Sequence, residues 1–314
     1  VTDELRDRYN VVVIGGGAAG LNGALMLGRA RRTVAVIDAG EPRNAPAEGV
    51  HGLLGREGVA PGELLATGRE EVRQYGGHVV SGRVAKALKR DEEFVVSLED
   101  GREVAASRLL VAAGIVDRLP EIPGLAERWG KDVMHCPYCH GWEHRDQAIG
   151  VIGTGPMAVH QTLLFRQWTS DLVFFTHTAP ELTAEEREKF AARGVRVVEG
   201  EIAAIEADGA RMNDGRLVER QAYAIATRME ARAGFLAGLG LELAEHPSGA
   251  GVHIPADSFG KTAVPGVWAA GNVTDLMAQV GPAAVAGAMA GALINAEMIE
   301  AETAEAVAAH RLGL

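Results

Sequence analysis

Asn10-Val11-Val12-Val13-Ile14-Gly15-Gly16-Gly17-Ala18-Ala19-Gly20 begins as a short β-branched apolar run, turns through spaced glycines and gives way to a helical pattern over residues 21–31. The run reads as a buried strand and the glycines as the turn that hands it to a helix. A second apolar run, residues 33–37, stops at Asp38. Together these form a βαβ unit in which Gly15, Gly17 and Gly20 satisfy G-x-G-x-x-G and a carboxylate closes the second strand. The residue types answer the chemistry of a dinucleotide. Glycines let main chain touch a pyrophosphate at a helix N-terminus, and the acid takes a ribose hydroxyl. A merely glycine-rich turn would leave the acid and the paired strands as coincidence.

The pattern recurs later in the chain. Residues 148–152 form an apolar run, Gly153-Thr154-Gly155-Pro156-Met157-Ala158 gives G-x-G-x-x-A, a helix is expected to Trp168, and residues 172–175 form the next strand. Pro156 suits a first helical turn. Between the two units lie a Gly- and Pro-rich loop at 40–61, a helix at 62–75 and β-structure at 94–98 and 108–112 with a hairpin signal at Asp100-Gly101. The fold class is therefore α/β, with two Rossmann-like, three-layer nucleotide-binding domains.

Bulk properties agree with two globular domains: 314 residues, 47% hydrophobic and 23% charged. A net charge of −11 argues against a general affinity for nucleic acid or anionic membranes. Residues 1–10 lack the apolar core of a signal peptide and two cysteines make no disulfide framework, so a cytoplasmic location is expected. Residues 276–296 are uncharged and nominally long enough to span a bilayer, but they are mostly Ala and Gly and contain Gln279, Pro282 and Asn295. They read as a buried helix, whose Gly287 and Gly291 would admit another backbone or a cofactor.

Both cysteines fall in Cys136-Pro137-Tyr138-Cys139-His140. The spelling alone fits a redox dithiol, half a zinc site or a c-type haem attachment. Its place just before the second nucleotide unit favours the redox dithiol. His135, His140 and His144 could complete a zinc set, yet a structural finger separates its ligand pairs by a loop, and no metal is expected. His135 and His144 read as structural or solvent-facing, and Trp142 as packing or as a cover for a hydrophobic substrate.

A first G-x-G-x-x-G unit, a C-x-x-C before a second unit, and the late Pro265-Gly266-Val267-Trp268-Ala269-Ala270-Gly271 segment resemble the low-molecular-weight thioredoxin reductase family over nearly the whole chain. The resemblance implies a discontinuous FAD domain, 1–118 plus 248–314, and a C-x-x-C-bearing, NAD(P)H-domain-like domain, 119–247. It implies that FAD is held by Gly15, Gly17, Ala18, Gly20, Asp38, Asn44, His51, Gly271, Asn272, Gln279 and Val280. It also implies a homodimer. By the same resemblance Cys139 is the sulfur next to the flavin.

Three departures redirect the functional reading. His140 replaces an Asp that serves the thiols as acid or base, and imidazole can carry the same protons. The family's His-Arg-Arg-x-x-x-Arg grip on a 2′-phosphate is absent after residue 175, where Thr176-His177-Thr178-Ala179-Pro180 stands and no arginine follows until Arg187. NADPH is therefore not expected, while NADH could still fit. Asn272 replaces an Asp that contacts the ribityl chain. These changes are similar to those of the gliotoxin and holomycin dithiol oxidases. The resemblance implies an FAD-dependent dithiol oxidase of antibiotic biosynthesis in which Cys136, Cys139 and His140 form a disulfide in a small dithiol, with O2 as acceptor and H2O2 as product. The competing readings are an NAD(P)H- or ferredoxin-dependent thioredoxin reductase and a non-catalytic redox or metal-binding module.

Overall fold

The computed structural model describes residues 2–313. The chain divides into two compact units: residues up to Ala45, Val59–Val116 and Met229 onward form the first, and Pro46–Gly58 with Asp117–Arg228 form the second.

In the first unit, β1 (Arg8–Ile14), α1 (Ala18–Arg29), β2 (Val34–Asp38), α2 (Pro61–Gln74), β3 (His78–Ser81), β4 (Val84–Arg90), β5 (Glu93–Leu98) and β6 (Glu103–Val111) follow one another. They build a sheet in the order β3-β2-β1-β6-β5-β4. Val11–Ile14 and Val34–Ile37 pair in parallel and are buried throughout. Such uninterrupted apolar runs are what a parallel strand covered on both faces requires. The expected hairpin is present, with Gly101 at φ +89° between antiparallel β5 and β6.

β7 (Ile115–Arg118) leads out of the first unit, and the second contains β8 (Val133–Met134), α3 (Pro137–His140), β9 (Ile149–Ile152), α4 (Met157–Phe165), β10 (Leu172–Phe175), α5 (Ala184–Ala192) and β11 (Arg196–Val198). A small antiparallel sheet of β12 (Ile202–Ile205), β13 (Gly209–Met212) and β14 (Leu217–Glu219) precedes β15 (Ala222–Ile225). The main sheet is wholly parallel, β11-β10-β9-β15-β8. Its order reverses beside β9, the strand that feeds the second glycine turn, which is where doubly wound sheets bind ligands.

The chain returns through β16 (Arg228–Ala231), β17 (Ala244–Glu245), β18 (Gly251–His253), β19 (Val267–Ala269) and α6 (Val280–Leu312). The resemblance implies a return at residue 248. It comes earlier, at Met229, because Met229 and Glu230 pair in parallel with Gly251 and Val252. The resemblance likewise implies residues 46–58 in the first unit, whereas they pack in the second: a β-carbon on Gly130 would lie 2.7 Å from Pro46 Cβ. β19 pairs with Leu109–Val111 of β6 and so delivers the late Gly271 segment to the first sheet.

α6 starts after Gln279 and runs well past the expected end at 296. It is long and apolar enough to cross a bilayer. Here it buries Ala283, Gly287, Ala290, Gly291, Ile294 and Met298. A β-carbon on Gly287 would stand 1.9 Å from the Ala19 carbonyl oxygen, and one on Gly291 would stand 2.6 Å from that of Gly23. The anticipated close approach at these glycines is thus an approach to α1. Gly287→Val should therefore cost at least the ~1–3 kcal/mol of an overpacked core. Chemical denaturation should show the loss as a lowered midpoint.

Candidate functional site

At the end of β1, Gly15 has φ +110°, and a β-carbon there would lie 2.3 Å from the Ala112 carbonyl oxygen. A β-carbon on Gly20 would lie 1.9 Å from the Gly15 carbonyl oxygen, whereas one on Gly17 meets nothing within 4 Å. Two glycines of the motif thus close the turn on the protein itself, and the third leaves an open approach. Gly17 is the N-cap of α1 and supplies no side chain to its first amides. Those amides are suited to a pyrophosphate. Asp38 ends β2, with Oδ1 accepting from Gly40 N at 3.0 Å and Oδ2 from Arg69 at 2.8 Å. Arg69, which the sequence reading missed because it lies on α2, fixes the carboxylate. The cradle fits the diphosphate and ribose of a dinucleotide.

The late segment meets this turn: Gly271, at φ +79°, could carry a β-carbon only 2.8 Å from that of Ala19. Asn272 Nδ2 points at three main-chain oxygens, donating to Asp275 O at 3.1 Å, Leu276 O at 3.3 Å and Ala278 O at 2.9 Å. A carboxylate could make none of these bonds, which accounts for an amide at this position. Gln279 occupies the N-cap position of α6 without a side-chain capping bond, and Val280 is the first helical residue. Asn44 is half-buried at the end of the first unit's loop segment, and His51 belongs to the second unit.

In the second unit Cys136 is the extended N-cap of α3, and Pro137 begins the turn. The amides of Cys139 and His140 both donate to the Cys136 carbonyl at 3.2 Å, which sets the two half-buried cysteines on one turn. Gly141 is required next, since a β-carbon there would lie 2.4 Å from Pro137 O and 3.0 Å from the Trp168 ring. Gln161 on α4 donates to His135 O at 2.6 Å and steadies the approach to the turn.

Among the described residues, His140 Nδ1 and Nε2 are both buried and without a hydrogen-bond partner. Burial pushes its pKa below the ordinary imidazole value; the Glu143 carboxylate opposes this, while His144 and His51 reinforce it. His140 is thus a neutral imidazole at neutral pH. His144 is held at both nitrogens, by Gln147 Oε1 at 3.0 Å and Lys131 O at 3.1 Å, which is a structural role. His51 sits between carboxylates, Nδ1 at 2.6 Å from Glu57 and Nε2 at 3.6 Å from Glu143. Glu57 and Glu143 escaped the sequence reading; the i+3 spacing of Glu143 from His140 was the one available signal.

At the second glycine turn a β-carbon on Gly155 meets nothing within 4 Å. The end of β10 is bonded to the main chain that follows β11: Thr176 Oγ1 accepts from Gly200 N at 3.0 Å and His177 Nδ1 accepts from Ile202 N at 3.1 Å. Arg187 pairs with Glu199 at 3.0 Å and Glu181 at 3.9 Å.

The profile of the family described as pyridine nucleotide-disulphide oxidoreductase matches residues 9–292. Thioredoxin reductase tcpT of Claviceps purpurea (strain 20.1) is 32% identical over 307 residues, 92% of this chain and 94% of its own. A probable thioredoxin reductase of Arthroderma benhamiae is 34% identical over 177 residues, and that match spans 54% of this chain but 44% of the relative. The crystal structure of HlmI superposes with a TM-score of 0.90 at 42% identity over 100% of both chains.

The Asn272 geometry yields a test. Asn272→Asp would turn a carboxylate onto three carbonyl oxygens, so the 272–278 loop should lose about 1–3 kcal/mol of stability. Thermal melting and flavin retention on gel filtration should both fall, and Asn272→Gln should be less damaging than Asn272→Asp.

Proposed function

We propose, on the premise that the chain belongs to the pyridine nucleotide-disulphide oxidoreductase family and is a thioredoxin-reductase-like, FAD-dependent thiol:disulfide oxidoreductase, that it is a dithiol oxidase. Its substrate is a small natural-product dithiol, its acceptor is O2, and its workplace is the cytoplasm. The observation that carries this reading is the end of β10. Its polar groups are bonded to neighbouring main chain, and Arg187, the first arginine to follow, is paired with Glu199 and Glu181, so the family's arginine cluster for a 2′-phosphate is not reproduced there.

Catalysis falls to Cys136, Cys139 and His140. Neutral His140 takes the proton of a substrate thiol. The thiolate attacks Cys136 Sγ of the oxidised pair and expels Cys139 as a thiolate. The second substrate thiol then attacks the substrate sulfur of the mixed disulfide, closing the product and releasing Cys136. Two electrons stay on the enzyme pair and two protons leave through His140 and solvent. When bound, FAD would supply the two-electron acceptor for the reduced pair, with O2 as final acceptor and hydrogen peroxide as product. The residues fitted to hold it are Gly15, Gly17, Ala18, Gly20 and Asp38, with Gly271, Asn272, Gln279 and Val280 behind them.

One observation favours a second reading, a thioredoxin reductase driven by NAD(P)H or ferredoxin: the open approach at Gly155. The likeness to proteins named thioredoxin reductase supports it too. The yellow holoenzyme, given reduced small dithiols in air, should form peroxide, and Cys136→Ser should not. The rate should rise with pH through a midpoint below the usual imidazole value of about 6.5, because the neutral form is the active one and burial favours it. His140→Asn should abolish that limb and slow turnover by roughly 10²–10⁴-fold. Rapid bleaching by NADPH coupled to thioredoxin reduction would overturn the oxidase reading.

A homodimer is part of this proposal. Val285, Met289, Ile299 and Val307 are exposed along one face of α6, where a second copy would cover them. Sedimentation should show a dimer, and Ile299→Glu should weaken it; a monomer at micromolar concentration would remove this interface.

A further inference from the structure

We propose that Leu54, Tyr138 and Trp142 form a docking surface for the carbon skeleton of the dithiol, and that this skeleton is apolar and aromatic rather than charged. The inference rests on the dithiol-oxidase reading and adds a specificity surface to it.

All three residues belong to the second unit, as the cysteines do. Tyr138 stands between Cys136 and Cys139 and is 62% exposed; Trp142, one turn further, is 65% exposed. Leu54 is fully exposed. Its loop is tethered beside the segment that carries Trp142. Gly52 N donates to Glu57 at 2.9 Å, and His51, bonded to Glu57, reaches Glu143, the neighbour of Trp142, at 3.6 Å. A single exposed apolar residue needs no explanation, but a group of large ones around a reactive pair marks a binding surface.

The aromatic rings are fixed in place. Tyr138 sets its ring edge-to-face on Trp168, with centroids 5.5 Å apart at 86°. The Arg145 guanidinium lies 4.2 Å from the Trp142 ring centre and donates to Trp142 O at 2.7 Å. Arg145 thus takes one face of the indole, and its charge is engaged by the π system. The remaining face is available to a planar apolar group at little entropic cost, since the ring is already held. Glu143 beside it disfavours an anionic skeleton.

Three dithiols test the surface with the holoenzyme: 1,2-benzenedimethanethiol (apolar, aromatic), dithiothreitol (polar, uncharged) and dimercaptosuccinate (anionic). The wild-type enzyme should prefer them in that order by kcat/KM. Trp142→Ala and Leu54→Ser should each lower the ratio of kcat/KM for the aromatic dithiol over dithiothreitol by roughly tenfold, chiefly through KM, the size of effect one apolar contact gives. Trp142→Phe should restore most of it. Flavin absorbance checks that each variant is folded. An unchanged ratio would overturn the docking surface while leaving the oxidase intact. So would a shift from dimer to monomer in Trp142→Ala, which would make the patch a subunit contact. If the wild type oxidises none of the three, the oxidase reading itself fails, and the surface with it.

Discussion

The first unit depends on main chain touching main chain. The Gly15 carbonyl occupies the place of a Gly20 β-carbon, and the carbonyls of Ala19 and Gly23 occupy those of Gly287 and Gly291. One line of glycines therefore runs from the first turn along α1 to α6, joining segments that are more than two hundred residues apart in sequence. Directional bonds fix the register of this contact, Asn22 to Ala284 O at 2.9 Å and Arg32 to Asn295 at 2.7 Å. Because α6 presses on α1 from behind, the turn at Gly17 stays open in front. The discontinuity of the unit is thus what braces its cradle. The second unit has no returning helix of this kind, and it uses the turn before β9 to carry the dithiol.

What was legible in the sequence was local. The two glycine turns, their strands and the C-x-x-C announce themselves through spacing, and Gly287 with Gly291 through their four-residue interval. The late helix was expected to stop at 296 because Glu297, Glu300, Glu302 and Glu305 break the apolar pattern. Glu, Ala, Arg and Met are strong helix formers, so the helix continues where burial ends. The loop at 46–58 was less legible. It has no periodicity of its own, and its place is set by Glu143 and Gly130, partners that only folding supplies. Half of Asn272 was hidden for a similar reason: besides the ligand contact its position implies, its Nδ2 clamps three carbonyls that converge only once the 275–278 turn has formed.

His140 joins the two levels. Spacing alone identifies the position, but its burial decides what the residue can do. Withdrawal from water disfavours whichever protonation state carries charge. A carboxyl group in this slot would be pushed up toward its protonated form, a proton donor suited to quenching a leaving thiolate. An imidazole in the same slot is pushed down toward its neutral form, a proton acceptor suited to an incoming thiol. The same desolvation thus acts in opposite directions on the two residue types. Leaving both ring nitrogens unpaired costs about 1–3 kcal/mol for each buried polar group, a penalty that a bound thiol would relieve at one of them. On the proposed mechanism, an imidazole in this slot would serve proton uptake from a dithiol where a carboxyl would serve proton delivery to one. On the proposed reading the direction of electron flow follows from which partner the chain recognises, and at the end of β10 the first arginine to follow, Arg187, is already paired with Glu199 and Glu181.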